Sequence, residues 1–304
     1  MNTVKVLKTV ADIREFRARL FLEGKRVGLV PTMGAIHQGH LELLSTALQT
    51  CDAVVVTIFV NPSQFAPHED LARYPRSFEA DLLQISKFAS NKSVVVFAPE
   101  TAEMYPSRIP LVVEEQKGAF VQVLGVSEQL EGSSRPHFFR GVATVVTKLL
   151  NLILPNSAYF GQKDIQQCIV IKRLVKDLLF NTEIVIVGTV RCPEDGLALS
   201  SRNVYLSKDQ RQKAPAVYRG LSKAQTFYTA NVESQPTRAS ITKFIYDEID
   251  LAGSEYFTID YICLSDKSTL AELDCVGPDG AILSVAWKMG STRLIDNLIL
   301  GSSL

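Results

Sequence analysis

Val27-Gly28-Leu29-Val30-Pro31-Thr32-Met33-Gly34-Ala35-Ile36-His37-Gln38-Gly39-His40 passes from an apolar run, through a glycine-containing loop, into a helical pattern. Val27 to Val30 reads as a buried strand stopped by Pro31, and Leu41, Leu44 and Leu48 then recur at helical spacing. The alternation continues. Ala53 to Val60 is a second β-branched and aromatic run closed by Asn61 and Pro62, Phe78 to Phe88 is helical, and Ser93 to Ala98 is a strand ended by Pro99. Three βα units by about residue 100 predict parallel strands joined by crossover helices. Val142, Val145, Val146, Leu149, Leu152 and Ile153 fit a well-buried helix. Ala158 to Phe160 reads as a short strand, Lys163 to Phe180 as a helix and Ile184 to Val187 as a strand. The expected class is α/β, a Rossmann-like doubly wound parallel sheet.

Beyond about residue 204 the texture changes to polar helices, Asp209 to Thr229 and Thr237 to Ile249. Alternating strands follow near Phe257 to Leu264, Ala281 to Trp287 and Arg293 to Leu300. This predicts a smaller α+β domain, with residues 1–193 forming the first domain and 194–304 the second. Glu194 to Arg202, rich in Ser, Gly and charge, is the expected hinge.

The chain has 304 residues, 46% hydrophobic and 21% charged, enough for substantial cores. Lys plus Arg (32) balances Asp plus Glu (32), so no bulk basic field is present for non-specific nucleic-acid binding. A polyanion must be held locally. The longest apolar run, Val54 to Val60, is far short of a membrane span, and Met1 to Val10 lacks the apolar stretch of a signal peptide. The expectation is a soluble, cytoplasmic protein. Five scattered cysteines without a C-x-x-C pair argue against a disulfide framework or a structural zinc site.

Four segments carry chemistry. Two of only four histidines, His37 and His40, stand three apart beside Gly34 and Gly39 at the first strand-to-helix turn, where helix N–H groups favour phosphate. They can project to one side and donate to a phosphate oxygen, while the glycines let backbone approach a ligand. In Phe59-Val60-Asn61-Pro62-Ser63-Gln64-Phe65, neutral amides at a strand end can orient a small polar ligand; an ordinary turn is the alternative. In Phe160-Gly161-Gln162-Lys163-Asp164-Ile165-Gln166-Gln167, a lysine suits triphosphate oxygens and an aspartate suits ribose hydroxyls. A helix start with Asp164 on its dipole reads equally well. Asp195 to Asn203 offers two hydroxyls and a guanidinium on a connector that reads as a lid or as a charged linker.

Together, in this order and spacing, the segments resemble the pantoate–β-alanine ligase family of the HIGH-type nucleotidyltransferase superfamily. F-V-N-P-x-Q-F, Y-P-R, F-G-x-K-D-x-Q-Q and S-S-R-N distinguish this family from others sharing H-x-G-H. The resemblance implies that pantoate attacks the α-phosphate of ATP, releasing diphosphate, and that β-alanine then converts pantoyl adenylate to pantothenate and AMP. It assigns His37 and His40 to the phosphates, with His40 the proton donor. Met33, Gly34, Gly39, Gly161, Lys163, Asp164, Val190, Leu199, Ser200, Ser201 and Arg202 complete the ATP site. Gln64, Gln167, Asn61 and Met33 fall to pantoate and β-alanine. It further implies Mg²⁺ carried by the ATP phosphates, a second domain that acts as a lid, and a homodimer.

Three positions depart from the family pattern. Arg135-Pro136-His137-Phe138-Phe139 stands for R-P-G-H-F, so no role carries over to His137. Leu199 replaces the usual methionine, conserving volume. Ala80 replaces an acidic residue of some members, leaving Asp81 and Gln84 as minor candidates for helping to hold metal. A cytidylyltransferase-like enzyme leaves Gln64 and Gln167 unexplained, a tRNA-aminoacylating enzyme is disfavoured by size and neutral charge, and a non-catalytic nucleotide module by the intact His, Lys and Ser-Ser-Arg set.

Overall fold

Strands β2 (Val27–Val30) and β3 (Ala53–Thr57) are buried at every residue in the computed structural model, which describes residues 4–67, 69–89 and 93–302. His68, one of the four histidines, lies outside the described residues. Continuous apolar strands of this kind need cover on both faces. β2 and β3 pair in parallel with Val27 opposite Ala53 and Val30 opposite Val56. Between them α2 (Gln38–Thr50) buries Leu43, Leu44, Ala47 and Leu48 at the spacing that the sequence predicts.

The chain begins with β1 (Lys5–Leu7) and α1 (Val10–Leu22), neither expected from the sequence. After β3, α3 (Phe78–Ala89) leads to β4 (Ser93–Phe97), and short turns of helix follow, α4 (Thr101–Met104) and α5 (Glu131–Ser134). The long apolar helix is α6 (Phe138–Ile153), followed by β5 (Ser157–Gly161), α7 (Ile165–Asp177) and β6 (Glu183–Val187). All six strands are parallel in the order β1-β4-β3-β2-β5-β6. From β2 the chain lays β3 and β4 outward on one side, then returns to lay β5 and β6 on the other. The order therefore reverses between β2 and β5, and in open α/β sheets ligands bind outside the carboxyl ends of strands at such a switch point. The histidine loop leaves β2 at this place.

Gly141 in α6 permits a close approach that orders the loop after β3. A Cβ there would sit 2.3 Å from the Ser63 carbonyl oxygen and 2.7 Å from the Gln64 Cα. Both obstacles are backbone, so nothing can swing aside. Gly141→Ala is expected to cost about 1–3 kcal/mol by overpacking, measured by thermal or urea denaturation; a variant as stable as the parent would contradict this packing.

The described residues divide into two compact units, Met1–Gly161 with Gln166–Val187, and Gln162–Ile165 with Gly188–Leu304. The expected 193/194 boundary falls inside a hairpin of the second unit. That unit holds α8 (Lys208–Lys213), α9 (Ala216–Ala230), α10 (Arg238–Ala252) and an antiparallel sheet of β7 (Thr258–Ser265), β8 (Ala281–Met289) and β9 (Thr292–Leu300), with β8 central. Its core gathers Val217, Leu221, Ile241, Ile245, Leu283, Val285 and Trp287. Two helical expectations need correction. Asp209 to Thr229 is not one helix, because the Pro215 ring and missing N–H end α8 and start α9. The helix expected from Lys163 begins at Ile165, after a 3₁₀ turn over Gln162–Asp164.

Candidate active site

Beyond β2 the chain turns sharply. Thr32 is tied to the end of β3 through its N–H to Thr57 Oγ1 (3.0 Å), and its own Oγ1 accepts from the Gly34 N–H (3.1 Å). Gly34 (φ 86°) and Ala35 (φ 50°) are both left-handed, which is costly for alanine. The buried carboxylate of Asp81 on α3 holds the loop in this shape. It accepts from the Ala35 N–H on Oδ2 (2.9 Å), and from the Ile36 N–H (2.9 Å) and the Ser77 hydroxyl (3.1 Å) on Oδ1. Gln84, also on α3, donates Nε2 to the Ile36 carbonyl (3.1 Å).

His37 then caps α2 in extended conformation (φ −136°), with Nδ1 accepting from the Gly39 N–H at 3.1 Å. The His37 N–H in turn donates to His40 Nδ1 at 3.4 Å, and the two ring centroids lie 4.1 Å apart. With Nδ1 of each ring accepting, the proton of each neutral imidazole sits on Nε2, the tautomer that can donate to a phosphate oxygen. Gly39 makes room for this arrangement: a Cβ there would lie 2.8 Å from His37 Cε1. Its absent side chain serves the histidine ring, a closer use than the expected backbone approach to a ligand.

Asp81 and Gln84 do not fit a magnesium cage. Both Asp81 oxygens are engaged by backbone and hydroxyl donors, Gln84 is engaged with a carbonyl, and the neighbouring position is Ala80. Among the described residues no group of three His, Cys, Asp or Glu side chains is placed to hold a metal ion. Asp81→Asn turns one acceptor oxygen into a donor facing backbone N–H, and is expected to cost about 1–3 kcal/mol of stability, read by urea denaturation. Stabilisation of the parent by Mg²⁺ that Asp81→Asn abolishes would instead make Asp81 a metal ligand.

Asn61 and Gln64 meet in the turn after β3, with a division of labour. Asn61, 1% exposed, donates Nδ2 to Gln64 Oε1 (3.1 Å) and to the Gly141 carbonyl (3.2 Å). Its Oδ1 accepts from the Tyr105 hydroxyl (2.6 Å) and from Ser63 Oγ (3.2 Å). An amide has two donor hydrogens and two acceptor lone pairs, so the capacity of Asn61 is filled within the chain. Burial pushes the Tyr105 phenol up to about 12, against the pull of its bonds to Ser63 and Asn61, so it remains a neutral donor. Arg135 braces the same loop. Its Nε and a terminal nitrogen meet Glu69 at 2.6 and 2.8 Å, and the latter also reaches the Gln64 carbonyl (3.3 Å) while the guanidinium stacks 3.9 Å over Phe138. His137 is exposed, left-handed (φ 69°) and makes no side-chain cap bond at the start of α6.

Of the two adjacent glutamines on α7, Gln166 is structural. It is 3% exposed, accepts from the Glu131 N–H (3.0 Å) and donates to the Val126 and Gln129 carbonyls (3.2 and 2.7 Å). Gln167 is half-buried, and no hydrogen bond to it is seen within the chain among the described residues. The first unit thus carries Met33, Gly34, His37, Gly39, His40, Asn61, Gln64, Gly161 and Gln167.

The second unit carries the rest. Lys163 and Asp164 share the 3₁₀ turn after β5, with Nζ 3.6 Å from the carboxylate. The expected hinge is instead a paired hairpin: Arg191 bridges Ala198, the Leu199 N–H donates to the Val190 carbonyl (3.0 Å), and the Cys192 N–H to the Leu197 carbonyl (2.9 Å). Burial would raise the Asp195 carboxyl, but hydrogen bonds from Arg211 hold it below the ordinary value and brace the hairpin tip. The Val190 carbonyl is thereby occupied within the hairpin. Ser200 Oγ accepts from the Arg202 N–H (3.2 Å), capping a 3₁₀ turn over Ser201–Tyr205, and Asn203 Nδ2 donates to the Ala198 carbonyl (3.0 Å).

Sequence reasoning missed Arg135 and the loop-holding roles of Asp81 and Gln84. The motif R-P-x-x-F marked the first; the others bond to backbone and leave no residue-type signal. Comparison with known proteins agrees with the fold along the whole chain. A family model described as pantoate-beta-alanine ligase matches residues 5–299. The pantothenate synthetase of Chloroflexus aurantiacus is 46% identical over 297 residues, 98% of each chain. The structure of pantothenate synthetase from Thermus thermophilus is similar at TM-score 0.86 and 39% identity, covering 98% of this chain and 100% of that one. The pantoate-β-alanine ligase of Francisella tularensis, solved in complex with β-γ ATP and β-alanine, gives TM-score 0.75 at 30% identity over 99% of each chain.

Proposed function

The chain belongs to the pantoate–β-alanine ligase family, and on that premise we propose how its residues carry the reaction. It is a ligase that joins pantoate and β-alanine with consumption of ATP. In the first half, a pantoate carboxylate oxygen bonds to the α-phosphorus, the bond to the bridging oxygen breaks, and diphosphate leaves. In the second half, the β-alanine amine attacks the acyl carbon of pantoyl adenylate and AMP leaves with the former carboxylate oxygen.

A carboxylate approaching a polyphosphate meets like-charge repulsion, so the site must grip the departing diphosphate more tightly than it grips ATP. His37 and His40 donate Nε2–H to the phosphates beside the amino end of α2, with His40 the proton donor, and Gly34, Gly39 and Met33 line that approach. Lys163 and Arg202 supply positive charge, Ser200 and Ser201 hydroxyl donors, Asp164 a ribose contact, and Val190, Leu199 and Gly161 backbone contacts to the nucleotide. Pantoate is held by the neutral amides of Gln64 and Gln167, which leave its carboxylate nucleophilic, and Asn61 acts behind Gln64 as its orienting residue. ATP enters with Mg²⁺ on its phosphates. The observation that carries this reading is the reciprocal capping of His37 and His40, which fixes the donor tautomer of both rings at the switch point of the sheet.

No helix among the described residues is long and apolar enough to cross a membrane. A homodimer rests on the family resemblance, and sedimentation tests it. The activity is tested by incubating the protein with ATP, Mg²⁺, pantoate and β-alanine and measuring AMP and amide product. Absence of β-alanine-dependent AMP release overturns the reading.

A further inference from the structure

Strand β9 carries two adjacent polar side chains, Asp296 and Asn297, at 2% and 1% exposure. Buried polar groups are costly unless bonded, and both are bonded to the nucleotide-side segments of their own unit. Asp296 takes Arg191 bidentately at 2.6 and 2.9 Å, with the guanidinium stacked 3.8 Å over Tyr218. Asn297 donates Nδ2 to the carbonyls of Gln162 (2.9 Å) and Lys163 (3.0 Å), and its Oδ1 accepts from Gln162 Nε2 (3.3 Å). The amide has one sensible orientation, because the flipped form would set Oδ1 against two carbonyl oxygens. A three-residue 3₁₀ turn has poor hydrogen-bond geometry of its own, so its direction depends on bonds from elsewhere.

We propose that Asn297 is a positioning residue for ATP activation: by holding the carbonyls of Gln162 and Lys163 it fixes the turn from which the Lys163 side chain departs. Asp296 does the same for Val190 through its hold on Arg191. The inference rests on the assignment of Lys163 to the ATP phosphates, and it gives the C-terminal strand a part in the first half-reaction. Nothing in the sequence of 251–304 signals this, since the two acceptors of the Asn297 amide are backbone atoms 135 and 134 residues away.

The test is Asn297→Asp, nearly isosteric, which keeps an acceptor for Gln162 and sets an oxygen against the two carbonyls. We expect kcat/KM for ATP in pantoate-dependent ATP–diphosphate exchange to fall about 10- to 100-fold, while KM for pantoate stays within about twofold. AMP release from supplied pantoyl adenylate and β-alanine should stay within about threefold, since that substrate lacks the phosphates given to Lys163. If Asn297→Asp gives no cooperative melt, Gln162→Met, at a half-buried position, removes one bond of the same set and is expected to show the same pattern at about 3- to 10-fold. A folded variant with parental kcat/KM for ATP, or with equal losses in both half-reactions, overturns the proposal. A parent protein without pantoate-dependent exchange overturns the functional reading itself.

Discussion

His40→Ala is expected to lower the rate of pantoate-dependent diphosphate release about 10²- to 10³-fold, by analogy with the loss of one oxyanion donor. His40 acts in two ways. Its Nδ1 accepts the His37 N–H at 3.4 Å, and its ring lies 4.1 Å from that of His37, so it both donates to the phosphates and supports its neighbour. Alanine removes the Nε2 donor and leaves the His37 N–H without this acceptor at the first turn of α2. Stability should fall by only about 1 kcal/mol, the scale of a lost capping bond. The check is single-turnover formation of pantoyl adenylate beside a thermal melt. An intermediate that accumulates at the parental rate in a folded variant would remove His40 from the chemistry.

Lys163→Ala should produce a loss of similar size, about 10²- to 10³-fold, in the same step. Lys163 lies 3.6 Å from Asp164, and its removal deletes a cation while leaving an uncompensated carboxylate on the same short turn. The phosphates of ATP would then face added repulsion, so kcat/KM for ATP should fall while the pantoate KM holds. Lys163→Arg is not expected to restore the rate, because a broad planar guanidinium does not replace a compact ammonium at a fixed turn. Parental adenylate formation in Lys163→Ala would contradict the assignment.

Strands β2 to β6 of the parallel sheet were legible because each is a short apolar run stopped by proline or a turn former, as at Val27–Val30 before Pro31. The first helix was not, although Thr9 and Asp12 form a capping box that the sequence displays as T-x-x-D. Its apolar stripe is only Ile13, Phe16 and Leu20, diluted by Arg14, Glu15, Arg17 and Arg19, and β1 is three residues long. The break at Pro215 was visible in principle, since proline ends a helix at the residue before it. At the candidate site, scarcity drew attention to the histidine pair, whereas N-P-x-Q alone read equally as an ordinary turn. The holding roles of Asp81, Gln84 and Asn297 stayed hidden for a common reason. Each bonds to backbone N–H or C=O groups distant in sequence, 45 and 46 residues away for Asp81, and a backbone partner leaves no mark on residue type.

The most direct test of the adenylate route is pantoate-dependent exchange of labelled diphosphate into ATP with β-alanine absent. Exchange should appear with ATP, Mg²⁺ and pantoate alone and should vanish when pantoate is omitted. Amide formation in the complete mixture without any such exchange would contradict activation of pantoate by adenylylation at the His37–His40 loop.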